Sequence, residues 1–268
     1  MAPLVRGWSL RTIEHGGRRY RLFEDADTAL ICGGIGAECA RRATEAVIRE
    51  VNPTRVISIG FAGALDGSLR VGDVIEPQTV IHVADGVRTE IGSGTGILVT
   101  SAGVADAAQK ARFAKAYAAS AVDMEAGAVA QGALARGVEF GAVKAISDVA
   151  EFKLPALDRF VGADGSFRSA GFGFHVALRP WLWATTIALA RNSSKASRSL
   201  CVALNSYLGR QNFAHAAASN TNATNASLEP ELNPIKVGSG FAGAHTGAGG
   251  QVHTQTESEA TTPQPLKG

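Results

Sequence analysis

This sequence has few of the features that directly assign a protein to a class, such as cysteine pairs, a strong net charge or long apolar runs. Its 268 residues include only three cysteines, Cys32, Cys39 and Cys201, and none of them forms a CxxC pair. This excludes a disulfide framework and favours a reducing compartment, so we expect a cytoplasmic protein. Charged residues make up 19% of the chain, and the formal net charge is only +2. So small a charge indicates neither a nucleic-acid partner nor an anionic membrane.

Long apolar runs are also missing. The most apolar segment, residues 181–190 (WLWATTIALA), is far shorter than the ~20 residues that a membrane-spanning helix needs, so we interpret it as a buried core helix. The first residues, MAPLVRGWSL, do not resemble a secretory signal. The six histidines are scattered, and no His/Cys/Asp/Glu spacing is typical of a metal site. We therefore expect no cofactor.

The composition changes near residue 209. Upstream, apolar segments alternate with glycine-containing turns, whereas residues 209–268 contain only eight Val, Ile, Leu, Met or Phe. A segment so poor in large apolar side chains cannot bury a core. We therefore expect one folded domain over residues 1–208 and a disordered, low-complexity tail over residues 209–268.

Strand-like and helix-like segments alternate within the predicted domain. Short β-branched runs predict buried strands, and alanine-rich segments of 10–15 residues predict helices. This alternation predicts an α/β fold with a mainly parallel sheet. The predicted strands are residues 19–23, 28–32, 55–59, 74–75, 79–83, 96–100, 121–122 and 141–146, and the predicted helices are residues 37–51, 104–118, 125–136 and 180–207.

Glycine-rich or acidic segments follow four of the predicted strands. Open α/β sheets bind ligands beyond the carboxyl ends of their strands, so we expect these segments to lie together at one end of the sheet. They are residues 33–36 (GGIG), 60–63 (GFAG), 123–125 (DME) and 147–148 (SD).

Each segment allows a structural and a functional interpretation. The glycines either form tight turns or present backbone N–H groups to a ligand. Asp123 and Glu125 either favour the start of a helix or bind two sugar hydroxyls. Asp148 either caps a short turn or, with a raised pKa, donates a proton.

Two longer stretches resemble the signature segments of the purine nucleoside phosphorylase and nucleosidase superfamily. They are residues 57–75, ISIGFAGALDGSLRVGDVI, and residues 121–151, AVDMEAGAVAQGALARGVEFGAVKAISDVAE. The resemblance is closest to the methylthioadenosine/S-adenosylhomocysteine nucleosidases. It implies a three-layer α-β-α sandwich around a mixed, mostly parallel sheet, a homodimer, and release of adenine from a small nucleoside by water.

The resemblance also implies roles for individual residues. Glu125 matches the glutamate that holds the ribose 2′- and 3′-hydroxyls, and Met124 matches a methionine packed against the sugar. Asp148 matches the acid that hydrogen-bonds purine N7 and the exocyclic amine. The expected catalytic residues are therefore Asp148 and Glu125, and the expected substrate-binding residues are Met124, Phe61, Ala62, Gly63, Ser147 and Gly36.

Some positions depart from the family pattern and leave alternatives open. In phosphorylases an arginine stands at the position of Ser58 and a Ser or Thr at the position of Phe61, and both bind phosphate. Their replacement here favours water as the nucleophile. Lys144 also replaces an arginine of the family. The alternative is a phosphorylase acting on a purine nucleoside or on an adenosylated hopanoid, since residues 151–168 resemble hopanoid-associated phosphorylases.

A second alternative is a catalytically impaired nucleoside-binding relative. Family members open with a strand and a glutamate-bearing loop, and residues 1–5 resemble the segment after that loop. We therefore expect that this sequence lacks the first strand, either because Met1 is an internal codon, which we favour, or because the protein is truncated.

Overall fold

The first strands form a small antiparallel sheet. In the computed structural model, which describes residues 4–152, 160–162 and 165–226, these strands are β1 (Ser9–His15), β2 (Arg18–Asp25) and β3 (Thr28–Ile31). Gly16 and Gly17 have positive φ angles of 55° and 72° and make the tight turn between β1 and β2. The sequence pattern misses β1 because this strand exposes most of its side chains and buries only Ile13.

The central sheet has seven strands and confirms the predicted mixed α/β architecture. Their order is β5-β10-β4-β9-β8-β6-β7, with three parallel and three antiparallel pairings. Most of the paired residues lie in the three parallel pairings. The strands are β4 (Arg55–Ala64), β5 (Val74–Ile75), β6 (Thr79–His82), β7 (Arg88–Glu90), β8 (Ile97–Thr100), β9 (Ala121–Asp123) and β10 (Glu139–Asp148).

Local signals mark the end of one helix and the start of another. Helix α1 ends at Val51, and its C-cap residue Asn52 adopts the left-handed conformation directly before Pro53. Helix α2 begins after a capping box between Asp106 and Gln109, a few residues later than expected. Among the described residues, no helix is both long and apolar enough to cross a bilayer. The helices are α1 (Ala37–Val51), α2 (Ala107–Tyr117), α3 (Ala126–Leu134), α4 (Ser169–Ala177) and α5 (Trp183–Ala226).

The C-terminal part departs from the predicted burial and from the predicted helix bounds. The interpretation of residues 181–190 as a buried helix is wrong, because Trp181 and Trp183 are 72% and 50% exposed. The helical backbone also continues past residue 209 to Ala226, and tertiary contacts group residues 1–219 and residues 220–268 into separate units. The rest of the predicted tail, residues 227–268, lies outside the described residues.

Helices cover both faces of the central sheet. Along β10, Phe140, Ala142 and Ile146 share an apolar cluster with α1 and α3, whereas Val143 and Ala145 share another with α5. This alternation is what a strand buried on both faces requires. The three-layer α-β-α sandwich is therefore confirmed.

The expectation that four ligand-binding segments lie at one end of a single sheet is wrong in part. Residues 60–63 belong to β4, which pairs with β10 as far as Gly63 opposite Asp148. Strand β9 runs antiparallel to β4, and β3 belongs to the smaller sheet. Glycine predicts a turn from sequence, but here ladder hydrogen bonds on β10 keep the chain extended.

An open slot separates β3 from β4. Its cavity volume is about 540 Å³, and it is lined by both strands together with Leu4, Trp8 and Leu204. Strand β3 pairs with β2 along one edge, and β4 pairs with β10 along one edge. Among the described residues, no strand pairs with the edge of β3 or of residues 55–61 that faces the slot.

Candidate active site

The carboxylate of Asp148 lies buried at the carboxyl end of β10. Its Oδ1 accepts a hydrogen bond from Ser147 Oγ at 2.7 Å, and its Oδ2 forms an ion pair with Lys110 Nζ. The Lys110 ammonium also donates to the carbonyl oxygen of Val149 at 2.8 Å. A buried lysine at hydrogen-bond distance from a buried carboxylate orients that carboxylate and offsets its charge.

Small residues of β4 make room for this pair. A Cβ atom added to Gly63 would lie 2.9 Å from Asp148 Oδ2 and 3.2 Å from Lys110 Nζ, so any larger residue would push the two groups apart. The carbonyl oxygen of Ala62 accepts a hydrogen bond from Ser147 Oγ at 3.4 Å. The structure therefore brings Ala62, Gly63, Ser147 and Asp148 together, and we call them, with Lys110, the aspartate group.

A second set of predicted residues surrounds Glu125, which stands between β9 and α3. Its Oε1 accepts a hydrogen bond from the backbone N–H of Gly36 at 2.9 Å, and its Oε2 accepts one from the N–H of Met124 at 3.4 Å. Gly36 has a φ angle of 95°, a conformation that other residues rarely adopt. We call Glu125, Gly36 and Met124 the glutamate group.

The environment of Glu125 changes its acidity. Burial raises the pKa of Glu125 above that of an ordinary glutamate, and this effect outweighs the attraction of the Lys144 cation, which lowers the pKa. The neighbouring carboxylate of Asp123 also raises it. A half-buried carboxylate of this kind can accept hydrogen bonds from ligand hydroxyls.

A second buried ion pair supports the glutamate group. Lys144 Nζ lies 2.8 Å from Asp123 Oδ2 and donates to Ser58 Oγ at 2.9 Å. Asp123 also accepts from Thr100 Oγ1 at 2.7 Å and from the N–H of Ala126 at 2.9 Å. Asp123 therefore holds the start of α3, which favours its structural interpretation, while Ser58 is buried and bonded to Lys144 rather than open to an anion.

The two groups are adjacent on the sheet. Gly63 of β4 pairs with Asp148 of β10 on one side and with Val122 of β9 on the other, and Glu125 follows three residues later. Phe61 is two residues before Gly63, so it shares the same face of β4, and it is 42% exposed. No hydrogen bond ties Phe61 to either group.

Sequence reasoning missed Lys110, the partner of Asp148. An alanine-rich helix carrying Lys110, Arg112 and Lys115 is typical of a solvated surface, and lysines are rarely buried without a partner. Lys110 is only 2% exposed. Its pairing with Asp148 joins positions 38 apart in the chain, so no local pattern could indicate it. Within the described residues, no group of His, Cys, Asp and Glu could hold a metal ion.

Comparison with known proteins places both groups in a matched region. The profile described as Phosphorylase superfamily matches residues 8–107 and 93–166. A Marinomonas sp. (strain MWYL1) protein named 5'-methylthioadenosine/S-adenosylhomocysteine nucleosidase is 30% identical over 171 residues, which are 50% of this chain and 73% of that protein. A Staphylococcus aureus (strain JH9) protein of the same name is 28% identical over 163 residues, 48% of this chain and 72% of that protein.

Solved structures share the fold. A Helicobacter pylori 5'-methylthioadenosine/S-adenosyl homocysteine nucleosidase superposes with a TM-score of 0.57 at 16% identity, covering 78% of this chain and 92% of that chain. The profile match includes Gly36, Lys110, Glu125 and Asp148, and it extends over more than half of the sequence. The three-layer fold and the matched sequence lead to one assignment: this chain belongs to the phosphorylase superfamily.

Proposed function

We propose that this protein hydrolyses the N-ribosidic bond of an adenine nucleoside similar to methylthioadenosine or S-adenosylhomocysteine, releasing adenine. The proposal rests on the buried aspartate group, in which Asp148 is bonded to Ser147 and Lys110. The glutamate group lies beside it. The names of the relatives described above support the same substrate class.

Asp148 supplies the acid chemistry. In its protonated form it donates to purine N7, and its other oxygen accepts from the exocyclic amine. Protonation turns adenine into a neutral leaving group, which lowers the barrier to breaking the bond to ribose. Lys110 contacts Asp148 through its ammonium group, so it orients the carboxyl group and offsets its charge after the proton has left.

Glu125 acts on the sugar. Its carboxylate accepts hydrogen bonds from the ribose 2′- and 3′-hydroxyls, and its negative charge stabilises the positive charge that develops on the ring as the bond breaks. The hydrogen bond from Gly36 fixes the carboxylate before substrate arrives. Met124, the neighbouring residue, packs against the same sugar.

The charge pattern favours water over phosphate. A phosphorylase needs a cation that is free to bind phosphate. Lys144 is already bonded to Asp123 and Ser58, and Lys110 is already bonded to Asp148. Phe61, on the exposed part of β4, adds an apolar ring rather than a hydrogen-bond donor.

The test uses two variants and two substrates. Asp148→Asn should lower adenine release from methylthioadenosine by ~10²–10⁴-fold, because asparagine cannot deliver a proton. On a nitrophenyl riboside, whose leaving group needs no protonation, Asp148→Asn should recover most of its activity. Glu125→Gln should stay impaired on both substrates, because it loses the charge near the developing cation.

One control variant and two contrary outcomes make the result decisive. Glu139→Gln changes an exposed carboxylate at the opposite end of β10 and should keep full activity. Equal impairment of Asp148→Asn on both substrates would show that Asp148 is not the acid. Tight adenine binding by calorimetry without any turnover by the unmodified protein would instead support a nucleoside-binding relative.

A further inference from the structure

Large apolar side chains are exposed together where α4 leads into α5. Leu178, Trp181, Trp183 and Ile187 are 61%, 72%, 50% and 51% exposed, and we call these four residues the aromatic corner. Trp183 Nε1 donates to the carbonyl oxygen of Val176 at 3.0 Å, so its indole is held in place while half of it faces solvent. A concentration of exposed apolar side chains like this marks an interaction surface.

Basic residues continue this surface along α5. Arg191 and Lys195 follow Trp183 and Ile187 at intervals of four residues, and Arg198 follows three residues later, so all lie on one face of the helix. The opposite face is buried in the core through Ala196, Leu200 and Leu204. Arg191, Lys195 and Arg198 are exposed, and none of them forms an ion pair with a described residue.

The charge of this region differs from that of the whole chain. Residues 165–226 contain six Lys or Arg and no Asp or Glu, although the formal net charge of the protein is only +2. The basic excess is therefore concentrated in the part of the chain that carries the aromatic corner. An anionic surface would be attracted to it, and that attraction would weaken with salt.

We propose that the aromatic corner and the basic face of α5 dock this protein onto the surface of a membrane that contains anionic phospholipid. Tryptophan prefers the boundary between headgroups and acyl chains, and aliphatic Leu178 and Ile187 enter the same layer. Arg191, Lys195 and Arg198 then meet the lipid phosphates. The face from Trp183 to Arg198 is about 22 Å long and lies flat on the surface.

Charge and shape favour lipid over other partners. A nucleic acid would satisfy the basic residues but would gain nothing from the exposed aliphatic side chains of Leu178 and Ile187. A second copy of this chain would bring the same basic face against itself, and like charges repel. The proposal is independent of the proposed reaction, because no residue of the surface belongs to either site group.

The experiment measures co-sedimentation of the full chain with two kinds of vesicle. One is pure phosphatidylcholine, and the other contains roughly one-third phosphatidylglycerol as anionic lipid. We expect binding to the anionic vesicles at low salt, loss of binding at ~0.5 M salt, and little binding to the neutral vesicles. Tryptophan emission should shift to the blue on the anionic vesicles, because the indoles leave water.

Matched variants locate the binding face. Vesicle binding should weaken by at least ~10-fold in each of two double variants. They are Trp181→Ala with Trp183→Ala, and Arg191→Gln with Lys195→Gln. Leu134→Ala removes an exposed apolar side chain elsewhere, and Arg112→Gln with Lys115→Gln removes two exposed charges from α2. Both controls should bind as the unmodified protein does, and circular dichroism melting should show that every variant is folded.

Three results would overturn the proposal. One is failure of the unmodified protein to sediment with anionic vesicles at low salt. Another is equal binding by the corner variants and the controls, since the contact would then lie elsewhere. The third is a dimer in light scattering that becomes a monomer in the double variant Trp181→Ala with Trp183→Ala. The aromatic corner would then be an interface between copies of this chain.

Discussion

At the scale of single residues, the candidate site depends on two lysines that are almost fully buried. Lys110 and Lys144 are 2% and 1% exposed, and each faces a buried aspartate. Burying a charge is costly unless a partner and further hydrogen bonds offset the loss of water. Both lysines meet that condition, Lys110 through Asp148 and Val149 and Lys144 through Asp123 and Ser58.

Lys110→Met should therefore destabilise the protein. Removing one partner leaves the Asp148 carboxylate buried without its cation, and breaking a buried pair typically costs about 3–5 kcal/mol. Adding Asp148→Asn to Lys110→Met removes the orphaned charge, so the double variant should recover part of the loss. Urea unfolding measures these changes, with Lys115→Met on the same helix as an exposed control. A Lys110→Met variant as stable as the unmodified protein would contradict the ion pair.

Glu125 should make stability depend on pH in a defined direction. Its pKa is raised in the folded state, so folding favours its protonated form. The stability it contributes is present below the unfolded-state pKa and is lost as pH rises through the raised folded-state pKa. Glu125→Gln cannot ionise, so it should be more stable than the unmodified protein near pH 7, and the difference should shrink in acid.

Urea unfolding of Glu125→Gln across a pH series tests this dependence. Glu14→Gln changes an exposed glutamate on β1 and serves as the control, with no such pH-dependent gain expected. A Glu125→Gln gain that is the same at acid and neutral pH would show that burial does not raise the pKa of Glu125.

At the scale of whole elements, the slot between β3 and β4 is the unusual feature of the fold. Both strands present to it an edge with no β partner among the described residues. Backbone N–H and C=O groups that lack a hydrogen-bond partner cost stability where water cannot reach them. We propose that the slot accepts one additional β-strand.

Fusion of a strand-forming segment tests this proposal. Leu4 lines the slot, so five Val and Ile residues joined ahead of Met1 by a short glycine-serine linker can reach it. Each new backbone hydrogen bond contributes about 1 kcal/mol, so Tm should rise by at least ~4 °C. The same segment with proline at alternate positions cannot donate those bonds and should leave Tm unchanged. An equal rise with both segments would exclude strand pairing as the cause.

At the scale of the whole molecule, charge and apolar surface are distributed unevenly. The basic face of α5 and the aromatic corner lie outside both site groups, whereas Phe61 is exposed beside the aspartate group on β4. Phe113 packs near Tyr117 on α2, with ring centroids 6.3 Å apart.

We expect a homodimer that uses the surface near Phe61 rather than the aromatic corner. Light scattering at micromolar concentration should give twice the chain mass of 27.7 kDa. Phe61→Ser should weaken the dimer because it removes apolar area from the contact. Trp181→Ala with Trp183→Ala should leave the dimer intact, and a monomeric unmodified protein would reject the expectation.

The sequence by itself determined the α/β class and most strands and helices, and it singled out Glu125 and Asp148 as candidate site residues. These features depend on local periodicity, on proline and glycine signals, and on two contiguous motifs. All of these are local properties of the sequence. Helix α1, for example, has the predicted bounds and ends before Pro53.

Only the tertiary structure decided which distant residues meet. Three features depend on neighbours far away in sequence. Lys110 pairs with Asp148, Lys144 bonds Asp123 and Ser58, and β4 extends through Gly63. The exposure of Trp181 and Trp183 is also a tertiary property, since an apolar segment predicts burial until the packing shows which face is covered. Local patterns encode which conformation a segment prefers, whereas burial and charge pairing arise only when the layers pack together.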